Sequence, residues 1–68
     1  MYSDPKIIIS NNKINIINFS NIDHFSEDKI IIKLDNSYIV ISGSNLTISK
    51  LVIDEVLING DFNKIEFR

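Results

Sequence analysis

Isoleucine, at 16 of 68 positions, restricts the local geometry open to this chain. Ile7 and Ile9, Ile14 and Ile16, Ile30 and Ile32, and Ile39 and Ile41 each stand two apart. A period of two sends successive side chains to opposite faces of an extended strand, whereas a helix needs apolar residues three and four apart. A β-branched side chain also keeps its rotamer in a strand and crowds the preceding turn of a helix. No alanine is present to offset this. The sequence therefore reads as all-β, with no helix longer than about two turns.

Phase places the strands. Lys6–Ile9 follows Pro5, whose missing N–H bars it from the middle of a sheet. Ser10-Asn11-Asn12 is turn chemistry. Ile14 and Ile16 then alternate with Lys13 and Asn15, and Ile17 and Phe19 continue one residue late, as a bulge near Ile16-Ile17 would produce. Ser20 to Asp28 is polar and irregular. Its Ile22 and Phe25 are spaced for a loop or one helical turn that drops two anchors into the core. Ile30, Ile32 and Leu34 oppose Lys29, Ile31, Lys33 and Asp35 in the clearest strand. A turn centred on Asp35-Asn36 or Asn36-Ser37 returns the chain as Ile39 and Ile41, opposite Tyr38, Val40 and Ser42, so these two strands form a hairpin. Gly43-Ser44-Asn45 breaks the pattern. Leu46 and Ile48 make a short strand, Leu51 and Ile53 follow a second slip, and Asp54-Glu55 is the next corner. Val56, Ile58, Gly60 and Phe62 alternate, and Asn63-Lys64 slips the phase before Ile65 and Phe67.

These segments predict six or seven short strands in a single β domain over residues 5–68, preceded by a flexible polar tail at 1–4. The architecture expected is a small β-sandwich-like pair of sheets, or one antiparallel sheet rolled onto itself. A short β-solenoid is the alternative, but it requires a fixed repeat period, and the spacings here are uneven. Ile39-x-Ile41-x-Gly43 echoes Val56-x-Ile58-x-Gly60, which reads as two similar strands rather than a repeat. Buried positions should include Ile30, Ile32, Leu34, Ile39, Ile41, Leu46, Ile48, Val56, Ile58, Ile65 and Phe67, with Lys29, Lys33 and Asp35 in water. A chain this short must use nearly every apolar side chain or gain burial by association. Ile31, Tyr38 and Val40 share the outward phase of the hairpin and form a possible interface, covered either by another part of the chain or by a second copy or partner.

Composition narrows the function. The absence of cysteine excludes disulfides, thiolate zinc sites and a cysteine nucleophile. Seven basic residues are scattered over a chain of net charge −2, so no basic cluster exists to meet a phosphate backbone, and nucleic acid is not an expected partner. No run of aliphatic residues exceeds three, which is too short for direct membrane insertion. The start has no basic region followed by an apolar stretch, so no signal peptide is expected.

Catalytic chemistry is sparse. His24 is the single histidine; it lies between Asp23 and Phe25 and reads as a surface residue, with no activated hydroxyl marked beside it. His24, Asp23 and Glu27 lack the ligand spacing of a known metal site. Asp54 and Glu55 are adjacent, so in a strand they would point to opposite faces. Gly43 and Gly60 stand alone at strand positions and read as fold-determining residues, each set by a bulge, a positive φ or close approach of another strand. No catalytic residue, cofactor or metal is expected, and an enzyme is the least favoured class. A carbohydrate- or peptidoglycan-binding module is an alternative that would call for an aromatic platform, for which only Tyr2 and Tyr38 are free.

The order of features carries more than any one of them. Pro5-Lys6-Ile7 leads to Ile14-Asn15-Ile16-Ile17-Asn18-Phe19. Ile22 and Phe25, the hairpin Ile30-Ile31-Ile32 to Ile39-Val40-Ile41, and Gly43-Ser44-Asn45-Leu46-Thr47-Ile48 follow. Val56-Leu57-Ile58-Asn59-Gly60 and Ile65-Glu66-Phe67 close the chain. Over residues 5–68 this resembles the YabP/YqfC family of small sporulation proteins of endospore-forming Firmicutes, with Pro5-Lys6-Ile7 closer to the YqfC branch. The Ile, Asn and Lys bias fits an AT-rich source of that kind. The resemblance implies a non-enzymatic structural or assembly role in spore cortex or coat formation. It also implies a membrane-protein partner of the spore envelope, and residence in the cytoplasm of the mother cell, with possible recruitment to the forespore surface. It brings no catalytic residues with it.

Overall fold

A computed structural model describes residues 4–68. Of the expected tail, Met1 to Ser3 therefore lie outside the described residues; Asp4 is exposed, and its carbonyl accepts a hydrogen bond from Asn18 Nδ2 at 3.1 Å. Among the described residues the chain forms six strands and no helix: β1 (Lys6–Ile9), β2 (Lys13–Ile17), β3 (Asn21–Phe25), β4 (Lys29–Lys33), β5 (Tyr38–Val52) and β6 (Glu55–Phe67). They form one antiparallel sheet in the order β1-β2-β6-β5-β4-β3. The rolled antiparallel sheet is thus the architecture found, and no solenoid is needed. The radius of gyration, 11.0 Å, matches the value of about 11 Å for a compact chain of this length.

Two strands are much longer than expected, and they organise the rest. The β5–β6 hairpin is a ribbon shared by two four-stranded layers. β2 pairs with the first half of β6, from Glu55 to Asn59, and β1 pairs with β2. β4 pairs with the first half of β5, from Tyr38 to Ser42, and β3 pairs with β4. The inward residues of the two layers, Ile14, Ile16, Val56 and Ile58 from one and Ile30, Ile32, Ile39 and Ile41 from the other, are all fully buried in one cluster with Leu34 and Leu46. Residues of both layers belong to this one buried cluster, so each layer is the cover of the other.

The ribbon bends through its bulges. The β5–β6 register shifts between Ser42 and Gly43, between Ser44 and Thr47, and between Ile48 and Lys50. Gly43-Ser44-Asn45 therefore does not end a strand; it is the corner of a strand that continues, with Asn45 left-handed at φ 55°. At Gly43 a Cβ would collide with the Asp61 carbonyl oxygen and stand 3.0 Å from Phe62 Cα. At Gly60, where φ is 148°, a Cβ would lie 2.8 Å from Leu46 Cδ2 and 3.0 Å from the Asn45 carbonyl oxygen. Each glycine is thus pressed against the corner of the other strand. Their backbone partners correspond as well: Gly43 N–H donates to Asp28 O, just before β4, and Gly60 N–H donates to Asn12 O, just before β2, both at 3.1 Å. Ile39, Ile41 and Gly43 hold the same places in one layer as Val56, Ile58 and Gly60 in the other. The echo between these segments marks a pseudo-two-fold relation of the two layers about the ribbon, and so carries more than a chance likeness of strands.

Several local expectations are corrected. The irregular stretch after Ser20 is the edge strand β3, not a loop or helical turn. A bulge at Asp23, between the Ile22–Ile32 and His24–Ile31 pairs, lets Ile22 and Phe25 face the same side although they are three apart; Ile22 packs against the core, but Phe25 is 51% exposed and is not the second anchor expected. The slip after Ile16 is not a bulge, since β2 stays in register through Ile17; Asn18, at φ 65°, turns the chain instead. The β4–β5 turn is centred on Asp35-Asn36, with Leu34 N–H donating to Ser37 O at 2.8 Å. The last corner is Ile53-Asp54, one residue earlier than read, because Ser49 is an extra residue in β5; Ile53 is 96% exposed there. Of the expected core, Ile48 and Ile65 are partly buried and Phe67 is 59% exposed, since both β5 and β6 lie at a layer edge in their second halves. Lys29, Lys33 and Asp35 are exposed as expected.

The two corners yield a test. Gly43→Ala and Gly60→Val should each lower stability by about 1–3 kcal/mol, the first by forcing the strands apart and the second by adding backbone strain. A core of this size supplies only about 3–5 kcal/mol, so both variants should melt well below the parent in a circular-dichroism scan. Melting curves that coincide with the parent's would show that the corners tolerate a side chain.

Candidate functional surface

The outer faces of the two layers differ. On the β3-β4-β5-β6 layer, His24, Ile31, Val40 and Glu66 stand side by side across the strands. Val40 is only 5% exposed yet lies outside the main core cluster, and Ile31 is half-buried. Lys33, Tyr38 and Arg68 stand in the row beside them, with Tyr38 38% exposed. Ile31, Tyr38 and Val40 are therefore neighbours, as their phase requires, but only Tyr38 offers much surface. Among the described residues no second sheet lies over them.

The residues weighed for chemistry do not converge. His24 sits on the edge strand with Asp23 at its bulge, where Asp23 Oδ1 accepts a hydrogen bond from Asn21 Nδ2 at 3.4 Å. Glu27 is exposed in the following turn. Among the described residues no three side chains of His, Cys, Asp or Glu are placed to hold a metal ion. Asp54 is in the Ile53-Asp54 turn, whereas Glu55 opens β6.

Glu55 belongs to the other outer face, which holds the more developed arrangement. Ile8, Asn15, Leu57 and Lys50 form one row across β1, β2, β6 and β5, and Lys6, Ile17, Glu55 and Val52 form the next. The Glu55 carboxylate accepts a hydrogen bond from Asn15 Nδ2 at 2.8 Å and lies 3.6 Å from Lys50 Nζ. The Asn15 bond, with the Lys50 charge adding to it, holds its pKa below the usual carboxylate range, against a smaller upward push from desolvation. Glu55 thus stays ionised, the opposite of what a general acid needs. Around this group stand half-exposed aliphatic side chains, Ile8 at 49% and Val52 at 45%, with Ile17 and Leu57 more covered. Asn59, one row further, donates from Nδ2 to Ser49 Oγ. Asn15 Oδ1 and Asn59 Oδ1 are shielded from solvent without a donor among the described residues.

Sequence reasoning missed this face. The alternation does place Asn15 outward in β2, but what unites it with Glu55 and Lys50 is the pairing of β2 with β6 across some forty residues. No local signal encodes that pairing.

A model of the YabP family matches residues 3–68. No curated protein and no solved structure matches the chain.

The Glu55 arrangement predicts a pH dependence. Because the folded-state pKa lies below the unfolded one, the stabilisation is complete above the ordinary carboxylate value of about 4.3. It is lost as pH falls through the depressed folded value. Denaturant titrations from neutral to strongly acid pH should show the parent losing more stability than Glu55→Gln, and the two acid limbs should converge at the lowest pH. Parallel limbs across the range would contradict the assignment.

Proposed function

The chain belongs to the YabP family, and from that premise we propose that it is a non-enzymatic structural or assembly factor in spore cortex or coat formation, acting with a membrane protein of the spore envelope. The observation that carries this reading is the extent of the match, from residue 3 to residue 68. The whole folded unit is the family's domain, so its role is that of the sheet and its surfaces. The side chains brought together on those surfaces support the reading. They are amides, an ion-paired carboxylate held ionised, and half-exposed aliphatic groups, which suit contact with another protein better than proton transfer.

The partner surface in this proposal is the outer face of the β1-β2-β6-β5 layer, where Ile8, Ile17, Leu57 and Val52 surround the Asn15–Glu55–Lys50 group. An apolar patch with a fixed polar centre supplies both burial and orientation. Among the described residues no helix is long and apolar enough to cross a membrane. The partner would bring the chain to the envelope from the mother-cell side.

Two measurements in the source organism test the proposal. Deleting the gene should leave vegetative growth unchanged and sharply reduce heat-resistant spores. Affinity recovery of the tagged chain from detergent-solubilised sporulating cells should yield a spore-envelope membrane protein, and Ile8→Lys, at an exposed edge position, should lose it while remaining folded. Normal spores from the deletion strain would contradict the role. Recovery of glycan without protein would replace the assembly factor by a carbohydrate-binding module.

A further inference from the structure

The bent sheet leaves four strand edges, and they are not equally guarded. β1 begins just after Pro5, which has no N–H to donate. β3 is bulged at Asp23, and the second half of β5 carries the extra residue Ser49. Prolines and bulges both hinder pairing with another chain. The end of β6 has no proline, and beyond the extra residue Asn63 its Lys64 to Phe67 lie in unbroken register with Ser42 to Ile39.

Its hydrogen-bonding parity is fixed. Tyr38 and Arg68 exchange both backbone bonds, Tyr38 N–H to Arg68 O at 2.7 Å and Arg68 N–H to Tyr38 O at 2.8 Å. Such pairs alternate along an antiparallel ladder. Glu66 and Lys64 therefore also direct their backbone groups toward β5, and Ile65 and Phe67 aim theirs outward, where no strand lies among the described residues. On the outer face Glu66 lies 3.8 Å from Lys64 Nζ and 3.1 Å from Arg68 Nη2. On the inner face Phe67 is 59% exposed beside partly buried Ile65.

We propose that this edge pairs antiparallel with the same edge of a second copy, about a two-fold axis through Ile65. Charge disfavours the registers one step to either side of this one. With the axis at Ile65, the two Ile65 residues form a hydrogen-bonded pair, and Lys64 of each copy stands opposite Glu66 of the other. With the axis one residue later, the two Glu66 carboxylates face each other and Lys64 faces Arg68, both repulsive. The favoured register also sets Phe67 across from Asn63 and covers part of its exposed ring. Two four-stranded layers become one eight-stranded sheet, closed by two-fold symmetry so that pairing stops at the dimer. The outer face of the β1-β2-β6-β5 layer stays free, so this inference and the proposed function stand or fall separately.

Sedimentation equilibrium of the full chain tests it. The parent should dimerise. Lys64→Glu, at an exposed position, and Glu66→Lys, at a half-buried one, should remain folded by circular dichroism and each weaken the dimer by about tenfold or more. The double variant Lys64→Glu/Glu66→Lys should recover the parent's affinity. An equimolar mixture of the two single variants should form a heterodimer tighter than either homodimer. A parent that stays monomeric at all accessible concentrations overturns the proposal. So does a dimer indifferent to both single changes, or a mixture of the two that fails to associate.

Discussion

Everything in this fold depends on one sheet covering itself. Among the described residues the six-stranded sheet has no helix to lay over its apolar face, and unless the face is covered the isoleucines that form it stay wet. The solution is to make two strands long and bend them together. The bend concentrates the steric demand at Gly43 and Gly60, where the backbone of one strand meets the corner of the other. Eight aliphatic side chains from the two layers, Ile14, Ile16, Ile30, Ile32, Ile39, Ile41, Val56 and Ile58, become fully buried as a result. Replacing one by Ala should cost roughly 2–5 kcal/mol, comparable with the whole stability of a domain this small. The corners are therefore as important to stability as the core they close.

The same bend determines what is left for function. A sheet folded on itself spends its inner faces on the core and has two outer faces and four edges to offer. One outer face leaves Val40 only 5% exposed and Tyr38 38% exposed. The other mixes half-exposed aliphatic groups with the hydrogen-bonded Asn15–Glu55 pair. One edge, at the end of β6, keeps regular register and a charge pattern that complements itself. The two proposals draw on different parts of this surface, the face for a partner protein and the edge for a second copy.

Much of this was legible in the sequence because a period of two is a local property. The alternation at Ile30–Leu34 and Ile39–Ile41 gives the hairpin and its buried face directly, and two isolated glycines in strand phase point to a crowded backbone. What could not be read are the consequences of bulges and distant pairing. Ser49 shifts the register by one residue and moves the final corner to Ile53-Asp54. Asp23 does the same in β3 and disguises a strand as a turn. Phe67 has the phase of a core residue but lies on the half of β6 that, among the described residues, no third strand flanks, so burial there is set by topology. The face around Glu55 exists only because β2 returns to pair with β6, a choice fixed by the closure of the sheet as a whole.

The central claim is that the two layers form one core and hold each other folded. Native-state hydrogen exchange measures this most directly, by comparing the slowest amides of β2 with those of β4. If each layer is the cover of the other, the slowest amides in both strands should exchange with the same free energy, equal to that of global unfolding. Both should also respond to denaturant with the same slope. Exchange of one layer at a markedly lower free energy, while the other stays protected, would contradict the account.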